Sequence, residues 1–214
     1  MGKKHKKARD LAKAEHDAID AAAKAADHPP VALAGKASEI ADQPPLVALS
    51  LATIGVGLML RRRDVTRTGT RMLLAHALAT AGKTVLKRAI DRSRPRRALK
   101  DGEHEARAGS GSDDTEFNSF PSGHTAGAVS VAEAIARTAP TYAAPARGGA
   151  AFVAAVQLPR GAHYPSDVAV GAGIGWVADR IAGLAINAGE RVIDRRRQNK
   201  EDAGALAEAE AHPS

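Results

Sequence analysis

Three short stretches of this chain carry residue types that can move a phosphoryl group. They stand in the order Lys87-x6-Arg94-Pro95, Pro121-Ser122-Gly123-His124 and His163-x3-Asp167. Lys87 and Arg94 are two fixed cations, suited to the equatorial oxygens of a phosphoryl group in transfer. Arg94 can grip two oxygens at once in a bidentate fork. Ser122 is a favoured N-cap residue before an apolar run. The first amides of a helix starting there point outward unpaired, and its dipole favours an anion. Gly123 lets an oxygen come close to the backbone, and His124 at the same helix mouth can give a proton to a leaving oxygen. His163 precedes another apolar run, with Pro165 placed for a first helical turn. Asp167 in that turn can fold back toward the imidazole, fix its tautomer and leave the other ring nitrogen free to attack phosphorus. Each stretch alone reads equally as structure: snorkelling cations, a helix cap, a His–Asp pair at a helix start. The ordered set points to chemistry.

Such a site needs several helix ends brought to one place, and the composition supplies helices. The chain has 214 residues, enough for one domain with a real core plus tails. Apolar residues make up 44% but aromatics only 3%. The apolar content is mostly Ala, Val, Leu and Ile, and no alternating β-branched runs with hairpin turns occur. An all-α fold follows, with about five core helices. The pattern predicts helices over 46–60, 69–90, 123–138, 148–158 and 166–187, with a polar loop over 91–120. His76, Lys83 and Lys87 recur on one face of the second helix. His76 and Lys83 read as buried or groove-facing polar groups, and His104 in the loop as solvated. Gly123-x3-Gly127 and Gly171-x3-Gly175 are small-residue spacings that permit close helix approach.

Three segments are expected: a charged helical or mobile appendage at 1–43, a helical domain at 44–190 and a charged tail at 191–214. A helix around 11–26 is stopped by Pro29-Pro30, and its thin apolar face reads as an appendage. Cysteine is absent, which excludes disulfide frameworks and Cys-ligated zinc. The formal net charge of +7 would permit nucleic-acid binding, but few aromatics are available for base stacking. The basic clusters flank apolar segments and read better as membrane-side anchors or phosphate contacts. Residues 46–60 are short for a span, which takes roughly 17–25 residues, and read as a buried core helix. Topology argues for a membrane all the same. If 61–71 face the cytoplasm, four alternating helices place all three motifs on the opposite side. The triplets Arg61–Arg63 and Arg195–Arg197 then both fall inside.

The ordered motifs resemble the type 2 phosphatidic acid phosphatase family, which includes bacterial acid phosphatases and vanadium haloperoxidases. The likeness runs from about Thr84 to Gly175. It implies His163 as nucleophile, His124 as acid and base, and Asp167 as the carboxylate behind His163. It implies Lys87, Arg94, Ser122 and Gly123 around the phosphate. The family's third motif has Ser-Arg, then five residues, then its His; here Val156-Gln157 stand at the first two positions. Arg160, three residues on, is the expected substitute. No set of carboxylates or histidines suited to a required metal is evident, so no cofactor is expected.

The expectation is a metal-independent phosphatase of a lipid phosphate, working through a phosphohistidine. It would be a multi-pass cell-membrane protein with its site on the non-cytoplasmic face and no nucleic-acid partner. The alternatives are a soluble-substrate acid phosphatase, or a weakened protein of the same fold that binds acidic lipid or a partner. Neither the oligomeric state nor the particular ester is readable.

Overall fold

Ala-rich segments punctuated by Pro and Gly fold as helices here, and a computed structural model describes residues 3–110 and 114–211 of the chain. Side chains are described at 10, 13–110 and 114–202, so the basic cluster Lys3–Arg9 and the outer ends of the 1–43 and 191–214 segments lie outside the described side chains. The helices are α1 Lys3–Ala23, α2 Pro29–Ser38, α3 Gln43–Met59, α4 Arg63–Ala89, α5 Pro95–Asp101, α6 Gly123–Thr138, α7 Ala143–Val156 and α8 Pro165–Ala211. A small antiparallel ladder pairs β1 (Ile90–Arg92) with β2 (Ala106–Ala108), Ile90 opposite Ala108. The fold is all-α, and the five long apolar segments are helical where the pattern predicts them.

Helices α4, α6 and α8 pack on one another, with α3 against α4 and α7 against α6. Met72, Ala75, Val131, Ala134, Val153 and Ala182 form the centre. Small residues set the helix spacing. A Cβ on Gly171 would lie 2.5 Å from the Ser122 carbonyl oxygen, and one on Gly175 2.5 Å from that of Ala126. The start of α8 is thus pressed against the start of α6, which joins the second and third motifs. Backbone seals the contact, since the Ser122 amide donates to the Asp167 carbonyl at 3.1 Å.

Charges that interrupt the apolar runs are paired inside the bundle. Asp179 is fully buried and accepts from Arg71 and from Arg137, both at 2.7 Å. Glu133 accepts from Arg137 at 3.1 Å and from Arg147 at 2.7 Å. Such a chain satisfies buried charge at several elements at once, and losing one member would strand the others.

Several expectations change. Pro29 and Pro30 stop one helix as predicted, but they also occupy the first turn of α2, where a missing N–H costs nothing. The N-terminal segment is no loose appendage. Ile19 is 2% exposed, and Glu15 bonds to Arg92 and to the Ser166 amide. Its apolar face is thin because its anchoring is polar. The loop over 91–120 contains α5 and all of the ladder except Ile90. His104 is not solvated: its Nδ1 lies 2.7 Å from the Tyr164 hydroxyl, and its ring stacks on His16 at 3.9 Å. Helix α3 is not wholly core, because Leu51, Leu58 and Met59 face outward.

Candidate active site

Three helix ends converge on one cavity of about 340 Å³. Lys87 comes from the last turn of α4, Gly123 and His124 from the first turn of α6, and His163 from the residues just before α8. Arg94 arrives on the segment between β1 and α5. The Lys87 ammonium donates to the Asn118 carbonyl at 3.1 Å, which ties the end of α4 to the loop leading into α6. The Arg94 backbone amide is fixed by the Glu116 carbonyl at 3.0 Å, while its buried Nε has no protein partner. That leaves a guanidinium free to meet an anion.

His163 is 3% exposed, and its Nδ1 lies 2.6 Å from the Ser119 carbonyl oxygen. A carbonyl can only accept, so Nδ1 carries the proton and Nε2 keeps its lone pair. Burial, then the nearby Arg94 charge, push the His163 imidazole well below its usual range, and the Ser119 contact offsets only part of this. The ring is therefore held neutral, with one nitrogen lone pair uncommitted.

Asp167 lies 3.9 Å from Nδ1 and does not take the ring proton itself. Its Oδ2 accepts from the Ser119 hydroxyl at 2.6 Å and the Tyr164 amide at 2.9 Å, and its Oδ1 from Arg92 at 2.7 Å. The carboxylate holds the residue whose carbonyl holds the imidazole. Direct orientation of the ring by Asp167, as the spacing suggests, is replaced by orientation through Ser119.

His124 Nε2 lies 2.8 Å from Asp42 Oδ1, off the line of a hydrogen bond. Asp42 stands at the N-terminal end of α3, and no sequence pattern announces it. Lys83 and His76, one and three turns before Lys87 on α4, also line the cavity. His76 is 3% exposed with both ring nitrogens unpartnered.

Two expected phosphate-binding residues stand elsewhere. Ser122 is fully buried; its hydroxyl lies 2.9 Å from Thr125 Oγ1, and it caps α6. Arg160 donates to the Ser38 hydroxyl at 3.0 Å and pairs with Glu39 at 3.6 Å. It lines a neighbouring cavity of about 200 Å³ that shares Arg94 with the first. Gln157 is fully buried and donates to the Val153 carbonyl at 3.0 Å, facing neither cavity. Arg92, which belongs to none of the three motifs, forms a buried ion pair beneath Asp167.

The Ser122 placement has a measurable consequence. Ser122→Ala should cost about 1 kcal/mol of stability, the usual loss for a helix cap. Turnover should fall by less than about tenfold, read by denaturant unfolding and initial rates side by side. A loss of about 10²-fold with unchanged stability would mean that the hydroxyl binds phosphate directly.

A family model described as the PAP2 superfamily matches residues 68–188. Among solved structures, the crystal structure of Aquifex aeolicus LpxE is similar with a TM-score of 0.56 and 22% identity, over 77% of this chain and 91% of that one. A transmembrane PAP2-type phosphatidylglycerolphosphate phosphatase from Bacillus subtilis is similar with a TM-score of 0.58 and 20% identity, over 83% of this chain and 87% of that one. No curated protein sequence matches.

Proposed function

The chain belongs to the PAP2 superfamily, and we propose that it is a metal-independent phosphatase that hydrolyses a lipid phosphate through a phosphohistidine. The observation that carries this reading is the convergence of Lys87, Arg94, His124 and His163 on one cavity. Nε2 of His163 attacks phosphorus as the bond to the alcohol oxygen breaks. His124 gives that oxygen its proton. Water then attacks phosphorus while neutral His124 takes its proton; the phosphorus–nitrogen bond breaks, its electron pair returns to His163 Nε2, and phosphate leaves. Lys87, Arg94 and the first amides of α6 meet the charge on the equatorial oxygens. We assign Asp167 to the support of His163, and Lys83, rather than Arg160, as the third cation of the pocket.

The lipid assignment rests on the outer surface. Leu58, Met59, Val85, Trp176, Ile181 and Leu184 are exposed apolar side chains on α3, α4 and α8. Residues Pro165–Asp202 are long and apolar enough to cross a membrane, as is the pair Pro29–Ala41 and Gln43–Met59, bent by 50°. The reading is a multi-pass protein of the cell membrane with its cavity on the non-cytoplasmic side. One of the two similar structures is a phosphatidylglycerolphosphate phosphatase, which leans the same way. The test is phosphate release from a panel of phosphatidic acid, phosphatidylglycerol phosphate, a polyprenyl diphosphate and p-nitrophenyl phosphate, with chelator present. Release from at least one lipid is expected, together with inhibition by vanadate, which takes the five-coordinate geometry of the transfer step. Activity abolished by chelation and restored by magnesium would overturn the mechanism. Turnover of the soluble ester alone would move the substrate to the water-soluble class.

The pH dependence follows from His163. The nucleophile works only when neutral, so activity is lost as pH falls through its pKa. Burial and Arg94 lower that pKa. The acidic limb of kcat/KM should therefore lie well below pH 6.5, the ordinary imidazole value. A profile of kcat/KM with an acidic limb at or above that value would remove His163 from the role.

A further inference from the structure

The proposed site accounts for Asp167 and Ser119 but not for what lies behind them. Arg92 Nη1 donates to Asp167 Oδ1 and to the Ser166 hydroxyl, each at 2.7 Å. Arg92 Nη2 donates to Glu15 Oε2 at 3.0 Å. The other Glu15 oxygen, Oε1, accepts from the Ser166 amide at 2.7 Å. The guanidinium lies over the Tyr164 ring, 3.9 Å from its centroid. Side chains of Arg92 and Glu15 are 13% and 15% exposed, and that of Asp167 is fully buried.

We propose that Glu15, on the N-terminal helix, is a positioning residue for His163 that acts through Arg92 and Asp167. The inference rests on the reading of His163 as nucleophile. Its physical basis is an unbroken set of contacts from α1 to the imidazole. Glu15 holds one side of Arg92. Arg92 holds Asp167 Oδ1, and Asp167 Oδ2 holds the Ser119 hydroxyl. The Ser119 carbonyl holds Nδ1–H of His163. Glu15 also occupies the Ser166 amide, an otherwise unpaired donor in the first turn of α8, and so fixes the helix start that follows the nucleophile. Burial pushes the Glu15 carboxyl up, but the bonds from Ser166 and Arg92 outweigh it and hold the group below the usual carboxylate range.

The charge order matters. Arg92 sits between two carboxylates and can satisfy both only while each is in place. Without Glu15, one side of its fork opens to water and the guanidinium can swing. Asp167 then loses the partner that aims its carboxylate at Ser119. The nucleophile would remain present and neutral but less often aligned with phosphorus, which lowers kcat while leaving phosphate binding by Lys87 and Arg94 intact. The N-terminal helix, distant in sequence from every motif, thereby becomes part of the catalytic support.

The test uses the full chain with phosphatidic acid in mixed micelles. Glu15→Ala should lower kcat by about 10–100-fold with KM changed by less than about threefold. Glu15→Gln keeps an acceptor for the Ser166 amide and the same shape, so it guards against misfolding; its kcat should fall by a smaller factor. Glu15→Ala combined with Arg92→Ala should be no worse than Arg92→Ala alone, since both cut one set of contacts. A purely structural role for α1 would instead lower stability with kcat intact in the folded fraction. A kcat within about twofold of the parent in both Glu15 variants, or multiplicative effects in the double variant, would overturn the proposal. His163→Ala, run alongside, separates the two claims. If it is inactive while the Glu15 variants turn over normally, only the positioning role falls. If it turns over normally, the nucleophile assignment falls and the positioning role with it.

Discussion

His163→Ala should reduce turnover by at least about 10³-fold while the protein folds and extracts like the parent. The expectation follows from the ring nitrogen that His163 keeps free of the protein. Nδ1 is committed to the Ser119 carbonyl at 2.6 Å, so Nε2 is the one lone pair that His163 presents to the cavity. Alanine removes that lone pair and leaves Lys87, Arg94 and the α6 amides to bind phosphate without a nucleophile. KM should change far less than kcat. Rapid quenching of the parent with labelled substrate should trap a phosphorylated protein, and peptide mapping should place the label on His163. Label on any other residue would sink the assignment even if His163→Ala were inactive.

Lys83→Ala should cost about 2.7–4 kcal/mol of transition-state stabilisation, the range for one preorganised donor, or roughly 10²–10³-fold in kcat/KM. Lys83 lines the same cavity as Lys87 and Arg94, and its Nζ comes within 3.2 Å of the point where a Cβ on Gly123 would stand. Arg160→Ala should cost much less, under about tenfold, because its guanidinium is occupied by Ser38 and Glu39 beside a different cavity. The ratio of the two effects is the measurement that matters. A silent Lys83→Ala beside a large loss in Arg160→Ala would return the third cation to the loop before His163.

The sequence by itself determined most of the helices and the groups offered for chemistry. Ala-rich runs, the Pro pairs in the first turns of α2 and α3 and the Ser122 cap specify helix starts through contacts within one turn, so these were legible locally. The Lys83–Lys87 stripe follows from helical period alone, and His124 stands beside Gly123 as its neighbour in the chain. Composition was less reliable where anchoring is polar, and α1 looked detachable because Glu15, Asp20 and the His16–His104 stack share its docking with a small apolar face.

Tertiary structure alone decided which groups meet. Gly171 against Ser122 brings two distant helix starts together, and that contact depends on a glycine on one helix and a backbone carbonyl on another. Asp42 beside His124, Ser119 between Asp167 and His163, and Glu15 beneath Arg92 each join elements far apart in the chain. The spacing of Asp167 put it within a turn of His163, but the ring proton went to a carbonyl from another segment. Arg160 lay a short step from the expected arginine, yet the loop turned it onto Ser38. Spacing limits what can reach within one helix. Which side chain then fills a cavity is set by how helices pack, and packing contacts leave no local pattern in the chain.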